Sequence, residues 1–381
     1  MTTKERFVLA LQNKKPDRLP VTTHDVMPYY LNKYEGGCDK NTFFERHGLD
    51  KIDWFNPYKP DSTKGQYFSD KNATGYEGIV SDTWRITTES IADDSYRTIR
   101  YNFDTPDGHL SMVVKHNEYT RWVCEHLIKE HKDLDVIIKN APVFLCDIDQ
   151  VRAHSEAMGQ SGLVRSIVPS FDVYGQPGCW QDASILFGIE NLIYETFDDP
   201  DWVKEMLLFL QKRKIAYLDS MVGAPMDLLE LGGGDASTTV ISPNIFKEFV
   251  APFDTPVIEA AHKAGQKIVY HTCGGMMPIL EDIAAMNPDA METFTPPGIG
   301  GDIRLAEAFD RIGDKVCFIG GLDQGHYLVH ATPQEMKAEV HRCFDACGRE
   351  GGFILAPSDH FFHAQPKLFD ALSEAAMECI Y

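Results

Sequence analysis

The chain has 381 residues, 43% of them hydrophobic, with 57 Asp and Glu against 36 Lys and Arg and a formal net charge of -21. That length exceeds the usual single domain without reaching two comfortable ones, which points to one large α/β domain carrying an insertion. The acidic balance argues against a nucleic-acid partner, and no stretch approaches the roughly 18 to 20 apolar residues that span a bilayer, so a cytoplasmic protein with a small-molecule or protein partner is expected.

In chain order, Met1-Thr2-Thr3-Lys4-Glu5-Arg6 leads into an amphipathic helix and not into a signal-peptide apolar core. Residues 18–24 and 49–55 read as the first two strands. Segments 78–91, 95–103 and 109–117 then alternate apolar and polar residues around the turn Thr105-Pro106-Asp107-Gly108. They predict a β-hairpin excursion, at about 75–120, over the mouth of the main fold. Beyond it, short β-branched runs alternate with helical patterns, the signature of successive β-α units. The strands are 163–169, 226–231, 266–271, 288–293, 315–320 and 352–357. Helices are expected at 184–195, 200–221, 243–264, 302–311, 333–348 and 366–379. Asp199-Pro200, Ser242-Pro243 and Thr332-Pro333 each put a capping side chain before a proline at the first helical position. Eight parallel strands predict a single (β/α)8 barrel spanning 1–381.

The carboxyl ends of barrel strands gather on one face, where catalytic groups collect. These ends offer His24 and Asp25; Ser170, Phe171 and Asp172; Glu230 and Asp235; His271 and Cys273; Glu292; Asp323 and Gln324; and Ser358, Asp359 and His360. His271-Thr272-Cys273-Gly274-Gly275 stands out. Residues two apart on a strand face the same way, so the imidazole and the sulfur supply half of a tetrahedral zinc site. The third ligand must come from a neighbouring strand end, and Asp359, His360 and Glu292 are the candidates, with Asp359 or Glu292 favoured. Aromatic side chains near the same face, among them Trp180, Phe361, Tyr29, Phe171 and Tyr174, suit the walls of a small-molecule pocket. Gly232-Gly233-Gly234-Asp235 lacks the spacing of a dinucleotide loop. The nine cysteines are scattered and odd in number, so reduced thiols are expected. Cys343 and Cys347, four apart on a helix, have no third partner nearby for a metal.

Several segments together resemble the uroporphyrinogen decarboxylase superfamily: Thr3-Lys4-Glu5-Arg6 with Lys15-Pro16-Asp17-Arg18-Leu19-Pro20-Val21, Ser242-Pro243 through Phe249 to Pro252, His271-Thr272-Cys273-Gly274, Ile319-Gly320-Gly321-Leu322-Asp323 and Ile354-Leu355-Ala356-Pro357-Ser358. The resemblance implies a (β/α)8 barrel and one of two chemistries. One is cofactor-free decarboxylation of porphyrinogens, the other zinc-dependent methyl transfer to or from a corrinoid protein. The decarboxylase branch carries an arginine-rich Met-Arg-Gln-Ala-Gly-Arg-Tyr segment after its first strand. Here Thr23-His24-Asp25-Val26-Met27-Pro28-Tyr29-Tyr30 stands in its place, without either arginine, and Phe55-Asn56-Pro57 stands where the catalytic aspartate is expected.

His271-x-Cys273 matches the zinc motif of the methyltransferase branch, whose third ligand is a cysteine in Ala-Pro-Gly-Cys. This chain reads Ala356-Pro357-Ser358-Asp359 there. The resemblance therefore implies a methyltransferase that moves a methyl group from a small O- or N-methyl substrate to a corrinoid protein. Zinc would be held by His271, Cys273 and Asp359 or Glu292, with His360, His24 or Asp235 as proton donor, and a homodimer is compatible with it. The competing readings are a metal-free decarboxylase of a uroporphyrinogen-like or other small carboxylic acid, and a binding module for a corrinoid or tetrapyrrole.

Overall fold

In the computed structural model, which describes residues 1–61, 65–69, 77–171 and 177–381, seven strands form one parallel sheet in chain order. They are β1 Lys51–Trp54, β2 Gly162–Ile167, β3 Leu228–Gly232, β4 Ile268–His271, β5 Ala290–Thr293, β6 Cys317–Leu322 and β7 Phe353–Pro357. Each pairs with the next in parallel register. Apart from β1 and the inward-facing Arg165, Glu230, His271 and Glu292, the strands are mostly apolar because both faces are covered. The fold is thus a TIM-type α/β barrel.

The expected strand at 18–24 is shorter than its pattern suggested. Only Val21 bridges β7, opposite Leu355. Leu355 N–H donates to Pro20 O at 3.0 Å, Thr22 N–H to Leu355 O at 3.0 Å, and Asp50 N–H to Val21 O at 2.7 Å, so residues 20–22 join β7 to β1. Pro20 has no N–H to extend the ladder, and the Val21 N–H is taken by the Asp50 carboxylate at 3.0 Å. Two helices also depart from expectation. The helix foreseen at 184–195 is two, Cys179–Phe187 and Ile189–Asp198, split at Gly188 with φ 92°. That foreseen at 243–264 carries a wide turn at Phe246–Val250 ahead of Pro252, whose missing N–H breaks the regular ladder. The caps at Asp199, Ser242 and Thr332 are as read, each side chain accepting a first-turn N–H.

The excursion is a four-stranded antiparallel sheet, Arg85–Ile91, Arg97–Thr105, Gly108–His116 and Arg121–Glu125. The alternation pattern missed its last strand because Trp122, Val123 and Cys124 follow one another without a polar break. Tyr119, in the turn before that strand, meets Tyr29 (ring centroids 4.6 Å apart) and Phe362 (5.3 Å) on the barrel rim.

Inside the barrel, Ile52, Leu163, Leu228, Val269, Ala290, Cys317 and Ile354 pack with Phe7, Ala10 and Leu11 of the helix Thr3–Leu11. Because side chains alternate with a period of two, the residue two places further along each strand faces the same interior. Those residues are Trp54, Arg165, Glu230, His271 and Glu292, with the apolar Ile319 and Ala356 completing the ring. An apolar layer closed below by the first helix therefore supports a charged layer above it.

Candidate metal centre

Arg165, 0% exposed, organises the charged layer. Its Nη1 donates to Glu292 Oε2 at 2.9 Å, and its Nη2 bonds both Glu230 and Glu292. The guanidinium lies 4.4 Å from the centroid of the Trp54 ring, whose indole N–H donates to His24 O at 2.8 Å. His24 Nε2 sits 3.3 Å from Glu230 Oε2 and 3.5 Å from Glu292 Oε1. His271 Nδ1 lies 2.9 Å from Glu292 Oε1.

Burial alone would raise the two carboxylic acids and lower the two imidazoles. Arg165 reverses the first effect, holding Glu292 well below its ordinary range and Glu230 below its own. The carboxylates reverse the second: Glu292 and Glu230 together lift His24 to about 9, and Glu230 with hydrogen bonds to Cys273 and Glu292 puts His271 well above the usual imidazole range.

Above this layer, His271, Cys273 and Asp359 each offer a donor atom, all within 4.8 Å of one another. Local bonds fix the turn that carries the sulfur. Thr272 N–H donates to Glu292 O at 3.1 Å and its hydroxyl to Gly233 O at 2.8 Å. Gly274, with φ 105°, donates to Thr295 Oγ1 at 3.1 Å. Asp359 follows β7. Burial opposes its charge, but His271, His24 and His360 keep its carboxyl below the ordinary value. His24, Asp359 and His360 form a neighbouring group of donors, with the His24 and His360 rings 4.8 Å apart. Burial and repulsion from His24 push His360 down to about 4. The Nδ1 atoms of His24 and His360 are buried with no protein partner.

The donor set fits a zinc ion. Imidazole nitrogen, thiolate and carboxylate are its usual ligands, and at bond lengths of roughly 2.0 to 2.3 Å tetrahedral ligand atoms lie about 3.3 to 3.8 Å apart, compatible with donor atoms that all lie within 4.8 Å of one another.

Of the two favoured third ligands, Asp359 stands with His271 and Cys273, whereas both oxygens of Glu292 are engaged by Arg165 and His271. Asp235 lies in none of the donor groups among the described residues; its carboxylate accepts from Gln181 Nε2 at 2.8 Å and from Ser184. The aromatic candidates are dispersed. Trp180 is fully buried, its indole N–H on Asp235 O at 3.1 Å. Phe361 packs between Tyr30 and Phe369, and Phe171 is buried beneath the Arg213 guanidinium, 4.7 Å from its ring centroid. Tyr29 is half-buried at the rim against Tyr119 and His363. Asp172 and Tyr174 lie outside the described residues. Cys343 and Cys347 are buried and bond Glu339 and the Cys343 carbonyl, respectively.

Sequence reading passed over Arg165. Its signal was a lone cation inside the apolar run Leu163-Val164-Arg165-Ser166-Ile167, since a charge there is buried only if paired. It also gave no purpose to Gly232. A Cβ at that residue would stand 2.2 Å from His271 O, and φ is 109°. Gly232→Ala is expected to cost roughly 3 kcal/mol by combining backbone strain with overpacking, and to weaken metal binding by displacing His271. Chemical denaturation and a chelator competition on the same preparation check both.

The family described as Uroporphyrinogen decarboxylase (URO-D) matches residues 169–378. The uroporphyrinogen decarboxylase of Chlorobaculum tepidum is 24% identical over 185 residues, covering 48% of this chain and 49% of that protein. That of Alcanivorax borkumensis is 28% identical over 167 residues, 42% of this chain and 43% of the relative. The methylcobamide:CoM methyltransferase MtaA of Methanosarcina barkeri is 25% identical over 176 residues, 46% and 48%. The chain thus spans about half the length of the curated relatives it matches. Among solved structures, a methyltransferase from Methanosarcina mazei superposes over 99% of both chains with a TM-score of 0.63 at 16% identity, a likeness of fold. With the match running from the end of β2 to the carboxyl-terminal helix, more than half of its length, the chain belongs to the uroporphyrinogen decarboxylase family.

Proposed function

We propose that this protein is a zinc-dependent methyltransferase that takes a methyl group from a small O- or N-methylated substrate and delivers it to the cobalt of a corrinoid protein. The observation that carries the reading is the meeting of His271, Cys273 and Asp359 at the barrel mouth. The likeness to the Methanosarcina barkeri methyltransferase supports it. Zinc bound there would act as a Lewis acid on the heteroatom that bears the methyl group. His271 and Cys273 would hold it from one strand end and Asp359 from another. A carboxylate in place of a second thiolate leaves the metal more electrophilic, which suits an ether or amine donor better than activation of a thiol.

The chain's own groups supply the rest. Glu292 takes the Nδ1–H of His271 and so fixes the tautomer that leaves Nε2 as the ligand atom. His24, tied through Nε2 to Glu230 and Glu292, presents an Nδ1 without a protein partner, and His360 presents another. His24, lifted to about 9, is the proposed proton donor to the departing heteroatom, and His360, pushed down to about 4 and so neutral, is a hydrogen-bonding neighbour of that heteroatom. Asp235, turned to Gln181 and Ser184, instead holds the turn after β3.

The test is elemental analysis of protein purified without chelators, beside the double variant His271→Ala/Cys273→Ala, followed by incubation of each with methoxylated aromatics or methylated amines and reduced cobalamin. Wild type is expected to carry about one zinc per chain and to methylate cobalamin, the variant neither. Equal zinc in both would remove the site. Zinc-free wild type that releases carbon dioxide from a small carboxylic acid would establish the decarboxylase reading, which the matches to uroporphyrinogen decarboxylases support.

A further inference from the structure

Two groups of metal-ligating side chains share His271. The outer one is His271, Cys273 and Asp359; the inner one is His24, Glu230, His271 and Glu292, all buried. The inner group has more donors and no sulfur, and carboxylates with imidazoles form a harder set that accepts many divalent metals. The shared ring places its Nδ1 on Glu292 of the inner group at 2.9 Å, so the two groups adjoin through His271. The choice between them decides whether a bound metal has a thiolate and an open side toward solvent.

We propose that the Arg165 guanidinium is a built-in cation that fills the inner group, and is thereby the positioning residue that confines the metal to the outer, sulfur-containing one. Three observations carry this. The guanidinium forks across the inner carboxylates, reaching Glu230 through Nη2 and both oxygens of Glu292 through Nη1 and Nη2. It is fully enclosed and stacked on Trp54, so it has no route to solvent. Glu292, held in this fork, spends its Oε1 on His271 Nδ1 at 2.9 Å, which turns the imidazole toward Cys273 and Asp359. Arginine suits the task where lysine would not, because its charge is permanent and its donors form a planar fork matched to two carboxylates.

The inference rests on the outer group being the metal site, and its test separates the two. Wild type, Arg165→Met and Arg165→Lys are loaded with Co2+ in place of zinc, and absorption in the thiolate-to-cobalt charge-transfer region is recorded. Zinc affinity is measured by competition with a chromophoric chelator. Wild type is expected to show the thiolate band. Arg165→Met is expected to keep bound metal but lose the band, as cobalt moves to His24, Glu230, His271 and Glu292. Arg165→Lys, which keeps a charge but loses the fork, is expected to keep the band and bind zinc about 10- to 100-fold more weakly, the usual effect of disturbing a ligand's supporting partner.

Arg165→Met with the wild-type band and affinity overturns the inference while leaving the metal site standing. If Arg165→Met does not fold, unchanged zinc affinity in Arg165→Lys has the same force. Absence of the band in wild type overturns the metal site and this inference with it.

Discussion

On the proposed reading, Asp359→Ala is expected to reduce methyl transfer about a thousandfold, because Lewis-acid stabilisation of a developing charge amounts to several kcal/mol and each 1.4 kcal/mol is tenfold in rate. The carboxylate is one of three donors in the outer group, and it also faces His24 and His360. Its removal takes one ligand from the metal and one negative charge from a cluster that already holds Arg165 and His24 as cations. Asp359→Cys separates these effects. A thiolate is a good zinc ligand, so metal content is expected to recover, while turnover of ether or amine donors recovers only partly because the added thiolate makes zinc a weaker acid. Zinc content and turnover measured together decide the matter. Full activity in Asp359→Ala would exclude this carboxylate as the third ligand.

Lys214→Met is expected to lower stability by about 3 to 5 kcal/mol, as breaking a buried ion pair at one partner does. The Lys214 and Asp182 side chains are 1% and 3% exposed. Lys214 Nζ bonds Asp182 and also donates to Pro169 O at 3.2 Å, while Asp182 Oδ2 accepts the Phe171 N–H at 3.0 Å. The pair therefore clamps the segment that leaves β2 toward the rim. Burial pushes the Asp182 carboxyl up even with Lys214 beside it, so losing the ammonium leaves an acid that is unfavourable in its charged form. Lys214→Met/Asp182→Asn, in which the amide oxygen still accepts from Phe171, is expected to regain most of the loss. Denaturation midpoints at matched slopes give the measurement. A single variant as stable as wild type would show that the pair adds nothing to folding.

Much of the barrel was legible because its signals are local. A strand buried on both faces must be apolar along its length, and a helix that begins at Asp199-Pro200 or Thr332-Pro333 needs only its own side chain to satisfy the first turn. The misreadings came where distant residues intervene. The segment 18–24 carries an extended pattern, yet Asp50 takes its central N–H and Pro20 offers none. At Gly188 the helical periodicity continues on both sides, but the φ of 92° turns the chain between two helices.

The candidate site divides along the same line. His271 and Cys273 could be paired from their spacing, although β4 ends at His271 and the turn that carries Cys273 is held by Thr272 on Glu292 O and Gly233 O and by Gly274 on Thr295. Sequence by itself thus determined the barrel, and it pointed to the pairing of His271 with Cys273 and to the short set of acids and imidazoles at the same rim. Which member of that set stands beside the sulfur depends on how strands 21 to 127 residues apart are brought together, as in the contacts of His271 with Glu292 and of Arg165 with Glu292. Only the tertiary structure decided that Glu292 is drawn inward by a buried guanidinium while Asp359 remains at the mouth. The physical reason is that alternation along one strand is fixed by covalent geometry, whereas the pairing of charges across a barrel is fixed by which opposite charge the closed ring brings within reach.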